Sequence, residues 1–182
     1  MRKYQSGFTL IELMVTVAIL VIIITIAVPS FQSVIASRQL IDARDRALSA
    51  IQYAKGEAVG RNRAVSICPS SDGASCGDSS NWADGWLIVL DNNETGAVSI
   101  DETIRVADGP EARAVTMTNG GDSGAVDYIR FLPNGFLNTN PPFNPLYFGF
   151  CDPDGDVAAH SILVAGTTGQ VRTGTETEAS CP

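Results

Sequence analysis

Gly7-Phe8-Thr9-Leu10-Ile11-Glu12-Leu13 opens the longest apolar run of the chain, which continues to Val28. Phe8 to Val28 is 21 residues, about 31 Å as a helix at ~1.5 Å per residue, and matches the hydrocarbon core of a bilayer. An ordinary secretory signal places a small-residue cleavage site after its apolar run. Here Val28-Pro29-Ser30-Phe31 leads into an amphipathic stretch instead. The apolar segment therefore reads as retained.

Glu12 is the exception within that run. A carboxylate in a membrane span costs roughly 2.5–3.5 kcal/mol on insertion scales, so by default it marks function. If the chain is cut between Gly7 and Phe8, the new amine of Phe8 is a cation in apolar surroundings, one helical turn from Glu12. Glu12 of a neighbouring copy could pair with it. At ~4 Å and an effective dielectric near 20 the attraction is on the order of 4 kcal/mol before desolvation is subtracted. That is enough to set the axial register of packed helices. The competing reading is a Glu at the membrane edge of a plain anchor.

The heptapeptide Gly7 to Leu13, behind a short leader carrying Arg2 and Lys3, resembles the class III signal of type IV pilins and type II secretion pseudopilins. The resemblance implies cleavage between Gly7 and Phe8 by an inner-membrane prepilin peptidase, N-methylation of Phe8, and an assembly role for Glu12. It divides the chain into a cleaved leader (1–7), a transmembrane and filament-core helix (8–28), an amphipathic second helical half (29–60) and a β-rich globular head (61–182).

From Ser30 to Val59 the apolar residues Val34, Ile41, Leu48, Ile51, Ala54 and Ala58 recur at three-, four- and seven-residue steps, one face of a helix. Arg38, Asp42, Arg44, Asp45, Arg46 and Lys55 between them form a solvated face. Pro29 removes a backbone donor and is expected to kink the helix. Gly60 reads as its stop.

After Arg61 the pattern changes to period two with turn clusters. Strands are expected at Ala64–Cys68, Gly85–Leu90, Ala97–Val106, Ala114–Thr118, Val126–Phe131, Leu146–Cys151, His160–Ala165 and Gln170–Thr173. Residues 91–96 and 132–135 read as hairpin connections. The fold class is α+β, a long N-terminal helix packed against an antiparallel β-sheet domain. Glu57-Ala58-Val59 with Arg61, Val65-Ser66-Ile67-Cys68, Gly85-Trp86, Phe131-Leu-Pro-Asn-Gly and Gly169-Gln-Val-Arg resemble the GspH/FimT branch of minor pilins and pseudopilins.

The 182 residues carry a formal charge of −8. Without the leader, 10 basic stand against 20 acidic side chains, a formal −10. That balance disfavours phosphate backbones and anionic lipid surfaces. Four cysteines, Cys68, Cys76, Cys151 and Cys181, form no CxxC pair and no zinc pattern. Behind an export-type N-terminus they read as two disulfides. Three connectivities are open, and local pairing, Cys68–Cys76 and Cys151–Cys181, is favoured.

Asp91, Asn93, Thr95, Gly96 and Glu102 fall at positions 1, 3, 5, 6 and 12 of a calcium-loop spacing. Strand flanks and a Thr at the fifth position favour a plain hairpin turn over Ca²⁺. Asp152, Asp154 and Asp156 form a second acidic turn, whose Gly155 misses the loop pattern. His160, the only histidine, reads as a strand residue. Without a Gly-x-Ser-x-Gly elbow or a phosphate loop, no catalytic residue is assigned, and the chain reads as a structural subunit rather than an enzyme.

Arg61 and Arg63, in Gly60-Arg61-Asn62-Arg63, invite a DNA-contact reading but fall where helix capping is the ordinary role. Members of the FimT group that receive DNA carry Gly-Arg-x-Arg near the C-terminus. Here Gly169-Gln170-Val171-Arg172 lacks the first basic residue, and nucleic acid is disfavoured. Three functions stay open: a minor pilin near a pilus tip serving assembly, twitching motility and adhesion; a minor type II secretion pseudopilin; and a DNA-binding competence pilin. The resemblance implies other minor pilins, the major pilin, the prepilin peptidase and the inner-membrane assembly platform as partners. The place implied is the bacterial inner membrane with the head in the periplasm, then an extracellular pilus or periplasmic pseudopilus.

Overall fold

The structure, a computed structural model, describes residues 8–78, 82–93, 96–109, 116–120, 126–138, 146–152, 157–165 and 168–174, with the side chains of 28–30 and 116–120 excepted. One helix, α1 (Leu10–Arg61), precedes eight strands: β1 (Val65–Pro69), β2 (Gly85–Asp91), β3 (Ile100–Asp108), β4 (Thr116–Gly120), β5 (Ile129–Phe131), β6 (Leu146–Cys151), β7 (His160–Ala165) and β8 (Gln170–Gly174). Two compact units, Met1–Ile35 and Ala36–Pro182, divide the chain.

α1 ends two residues later than its glycine implied. Asn62 takes the left-handed turn at φ 53°. Its amide donates to Val59 O at 3.4 Å, and that of Arg63 to Ala58 O at 3.3 Å, the two bonds of a Schellman cap. Gly60 stays helical. Arg61 adds a cation to the last turn, where the carbonyl end of the helix favours it.

The strands form two antiparallel sheets, ordered β3-β2-β1-β5 and β4-β6-β7-β8, within the α+β class expected from sequence, which left the number of sheets open. Within Ala36–Pro182 the helix buries Leu40, Ala43, Ala47, Ala50, Ile51, Ala54 and Ala58 in one core with residues from both sheets. Ile51, Ala54 and Ala58 are buried as expected, and Leu40, Ala43, Ala47 and Ala50 complete this face rather than Val34, Ile41 and Leu48. Ile41 and Leu48 are half-buried at its flank, and Val34 is 55% exposed. The centre of the face is alanine, which lets the helix backbone approach the strands closely.

Alternation then sorts the first sheet. Trp86, Ile88 and Leu90 of β2, with Val65 and Ile67 of β1 and Ile129 and Phe131 of β5, join the helix-side core. Leu87 and Val89 join Cys68 in a second cluster with Cys76, Val98 and Tyr128 packed against it. Cys68 and Cys76 are disulfide-bonded, Cα to Cα 5.5 Å, as the local pairing had it. Cys151 is disulfide-bonded too, while Cys181 lies outside the described residues.

Candidate functional site

α1 starts on a cap. The Glu12 amide donates to Thr9 Oγ1 at 3.3 Å, and the Leu13 amide to Thr9 O at 3.2 Å. With Leu10 first in the helix, Thr9 and Glu12 stand at the N-cap and third positions, the Thr-x-x-Glu spacing of a capping box. This use of Thr9 went unread in the sequence, although the spacing is itself a start signal. Glu12 sets its carboxylate in the first turn, where the positive end of the helix dipole favours it. Phe8 stands just ahead of the cap, 81% exposed. Gly7, the other half of the expected cleavage site, lies outside the described residues.

From Leu10 to Ile26 the large apolar side chains are exposed. An 18-residue window of the helix has a mean hydropathy of 2.9, with none of it buried. Thr16 and Thr25 interrupt the run without leaving bare hydroxyls, since their Oγ1 atoms donate to Leu13 O and Ile22 O, 2.8 Å each. The helical backbone continues through Pro29. Apolar surface of this extent requires lipid or other apolar helices around it.

In the head, the calcium-spaced residues do other work. Asp91 is buried. Its carboxylate meets Arg130 Nη2 at 2.7 Å and Nε at 2.8 Å and accepts from Ser66 Oγ at 2.6 Å. The amides of Asn93 and Ser99 donate to it at 2.9 and 3.0 Å. Arg130 also donates to Gly96 O at 3.0 Å and lies 4.7 Å from the Tyr128 ring centre. Asp91 is thus a structural counter-ion whose oxygens are turned inward, not an open cation ligand. Asn93 gives its side-chain amide to Ala97 O at 3.1 Å, Glu102 pairs with Arg61, and Thr95 lies outside the described residues.

The arginines singled out for DNA are not gathered into one patch. Arg61 pairs with Glu57 at 2.6 Å and Glu102 at 3.4 Å. Arg63 pairs with Asp101 at 2.9 Å and donates to Asn92 Oδ1 at 2.8 Å. Arg172 stands on β8, in the other sheet. The Arg61 bond holds Glu57 below its usual range, and the Arg63 bond does the same for Asp101. His160 opens β7 opposite Phe150, and Asp152 accepts from the Val157 amide at 3.2 Å. Asp154 and Asp156 lie outside the described residues.

The family described as "Type II transport protein GspH" matches residues 43–168, more than half of the chain. The "Prokaryotic N-terminal methylation motif" matches residues 2–28. Among solved structures, the type IV minor pilin FimU of Pseudomonas aeruginosa aligns at TM-score 0.57 and 27% identity, covering 79% of this chain and 93% of FimU. A second crystal form of FimU aligns at TM-score 0.56 and 25% identity. The minor pseudopilin EpsH of the Vibrio cholerae Type 2 Secretion System aligns at TM-score 0.48 and 9% identity, too distant to bear on function. Type IV major fimbrial protein FimA of Dichelobacter nodosus is 52% identical over 40 residues, 22% of this chain and 26% of FimA, so the match spans about a quarter of that relative. Helix, head and motif together place the chain in the GspH family of minor pilins and pseudopilins.

Proposed function

We propose that the chain is a minor type IV pilin, held in the inner membrane by residues 8–28 with its head in the periplasm, then incorporated at or near the tip of a pilus. Prepilin peptidase cuts between Gly7 and Phe8, and the freed amine of Phe8 is methylated. Glu12 pairs with the Phe8 amine of an adjacent subunit and fixes the axial step between helices. The observation that carries this reading is the wholly exposed apolar helix with a single acid one turn from Phe8, in a chain whose likeness to a minor pilin runs over 93% of that protein. In filaments Pro29 is the position at which α1 bends.

Glu12→Ala tests the pairing. The variant should insert and be processed normally yet be depleted from sheared pili, and normal incorporation would refute the role. A second reading is favoured by the family's own description, a minor pseudopilin of a type II secretion system that contacts other pseudopilins in the periplasm. It shares the same N-terminal chemistry. Deleting the gene separates the two: loss of pili and twitching with secretion intact fits the pilus, and the converse fits the secretion machine.

A further inference from the structure

The apolar surface of α1 does not stop at Val28. Phe31, Val34 and Ile35 are each more than half exposed, and between Glu12 and Arg38 the chain carries no charged side chain. α1 runs through the whole interval. At a rise of ~1.5 Å per residue, Arg38 stands no more than about 39 Å from Glu12. The hydrocarbon core of a bilayer is about 30 Å thick, and about 40–45 Å with both headgroup layers. A carboxylate is least costly at the edge of the hydrocarbon, and burying Phe31, Val34 and Ile35 draws the helix the same way. With Glu12 at the cytoplasmic edge and an average tilt of about 20°, Arg38 falls in the opposite headgroup layer.

Among the described residues the exposed guanidinium of Arg38 has no hydrogen bond or ion pair. The next cations along the helix are differently placed. Arg44 is held by Asp45 at 2.8 Å, and Arg46 stands about 12 Å further along. Asp42, the nearest acid in sequence after Arg38, lies one turn farther from the apolar stretch. Beyond the helix, residues 62–182 carry 5 basic against 16 acidic side chains, a formal −11, a balance that repels anionic lipid. Attraction to such a lipid is thus confined to the stem, where Arg38 is the free cation next to the apolar stretch.

We propose that Arg38 binds the phosphate of an anionic phospholipid in the periplasmic leaflet while the chain stands in the membrane. The long arginine arm reaches back to the headgroups as its stem lies along the apolar surface, and the guanidinium meets the phosphate with charge-assisted hydrogen bonds. This rests on the anchoring reading above and adds a contact that breaks when the helix leaves the bilayer.

The test uses the full chain, first floated with phosphatidylglycerol–phosphatidylcholine vesicles and then carried in neutral detergent with equal amounts of the two lipids for native mass spectrometry. The wild-type chain should retain phosphatidylglycerol over phosphatidylcholine by about fivefold. Arg38→Gln should abolish the preference, Arg38→Lys should restore part of it, and Arg46→Gln should leave it unchanged. Millimolar glycerol phosphate should not displace the lipid; displacement would mean a soluble phosphate site and overturn the proposal. A preference that survives Arg38→Gln, or is lost equally in Arg46→Gln, overturns it as well. Wild-type chain that floats with vesicles but retains the two lipids equally overturns the Arg38 contact and leaves the anchor standing. Failure to float overturns both.

Discussion

Arg130 and Asp91 form an ion pair with side chains 1% and 0% exposed, the largest concentration of buried charge among the described residues of the head. The pair does not owe its place to a large net gain, since desolvation offsets most of the attraction. It specifies geometry: Arg130 sits opposite Ser66 in the β1–β5 register, and its second bond to Gly96 O ties the β2–β3 connection to β5. Arg130→Ala would strand the Asp91 carboxylate and should cost about 3–5 kcal/mol, read from urea unfolding in detergent. Adding Asp91→Leu should return part of that loss, a coupling on the order of 1–3 kcal/mol; strict additivity would deny that the two act as a unit. Asp72 is acid-sensitive alongside Glu57 and Asp101. It accepts first from the Ser75 hydroxyl, then from the amides of Ser75 and Ala74 and from Ser70 Oγ, and is held well below its ordinary 3.8. A carboxylate depressed on folding stabilises fully above its unfolded pKa and loses that effect as pH falls through the folded one. The melting temperature should therefore decline below about pH 4, and Asp72→Asn should flatten the decline. An Asn variant that tracks the parent through acid would contradict this assignment.

The element with the most direct sequence-to-packing link is the second half of α1. Its buried face is built on Ala43, Ala47, Ala50, Ala54 and Ala58, small enough for the helix to lie close on both sheets. Ala54, 0% exposed, has no room for growth, and Ala54→Leu should cost about 1–3 kcal/mol through displaced neighbours. Gly56 is the contrasting site, helical, exposed, and with nothing within 4 Å of a Cβ built on it. Gly56→Ala should stabilise by about 1 kcal/mol, and unfolding midpoints of the two variants moving the same way would contradict this placement of the face. Ile51, Ala54 and Ala58 lie on that face as expected, whereas Leu40, Ala43, Ala47 and Ala50 were missed because periodicity toward the N-terminal part was weighted to the large Val34, Ile41 and Leu48, while small side chains carry little signal. Strand content was more legible. β6 and β7 fall on their expected bounds, because the aromatics of β6 (Tyr147, Phe148, Phe150) and the β-branched Ile162 and Val164 of β7 favour strand between flanking turn residues. β5 is shorter than expected since Val126 serves as acceptor for the Trp82 indole instead of entering the ladder. β3 starts at Ile100 rather than Ala97 because Asp91 and Arg130 claim backbone groups of Asn93, Gly96 and Ser99. The split into two sheets was invisible, being set by the non-local pairs β1 with β5 and β4 with β6. The Asp91–Arg130 pair had one readable sign, a charged residue between Ile129 and Phe131 at the parity opposite to theirs.

At the scale of the molecule, one chain requires two environments. Ala36–Pro182 contains its own core, in which most of its described large apolar side chains are buried, whereas the helix from Leu10 to Ile26 covers none of its own. About a dozen exposed Leu, Ile and Val lie in that stretch, and at roughly −0.3 to −0.6 kcal/mol each they favour insertion by about 4–7 kcal/mol. One lysine near the centre adds roughly 2.5–3.5 kcal/mol against it, which such a helix tolerates. Two lysines add about 5–7 kcal/mol, which cancels the whole driving force. Ile19→Lys with Ile22→Lys should therefore release the chain from carbonate-washed membranes, while either substitution alone leaves most of it bound. Because both positions lie in Met1–Ile35, the head of the double variant should keep its Cys68–Cys76 bond. The comparison with Glu12→Ala is the informative one, since that change makes the helix more apolar and should strengthen membrane retention even as it removes the chain from filaments. Opposite shifts in retention with the same loss of assembly would separate the anchoring work of the apolar run from the register-setting work of its one acid. Retention of the double lysine variant in washed membranes would mean that something other than this helix holds the chain there.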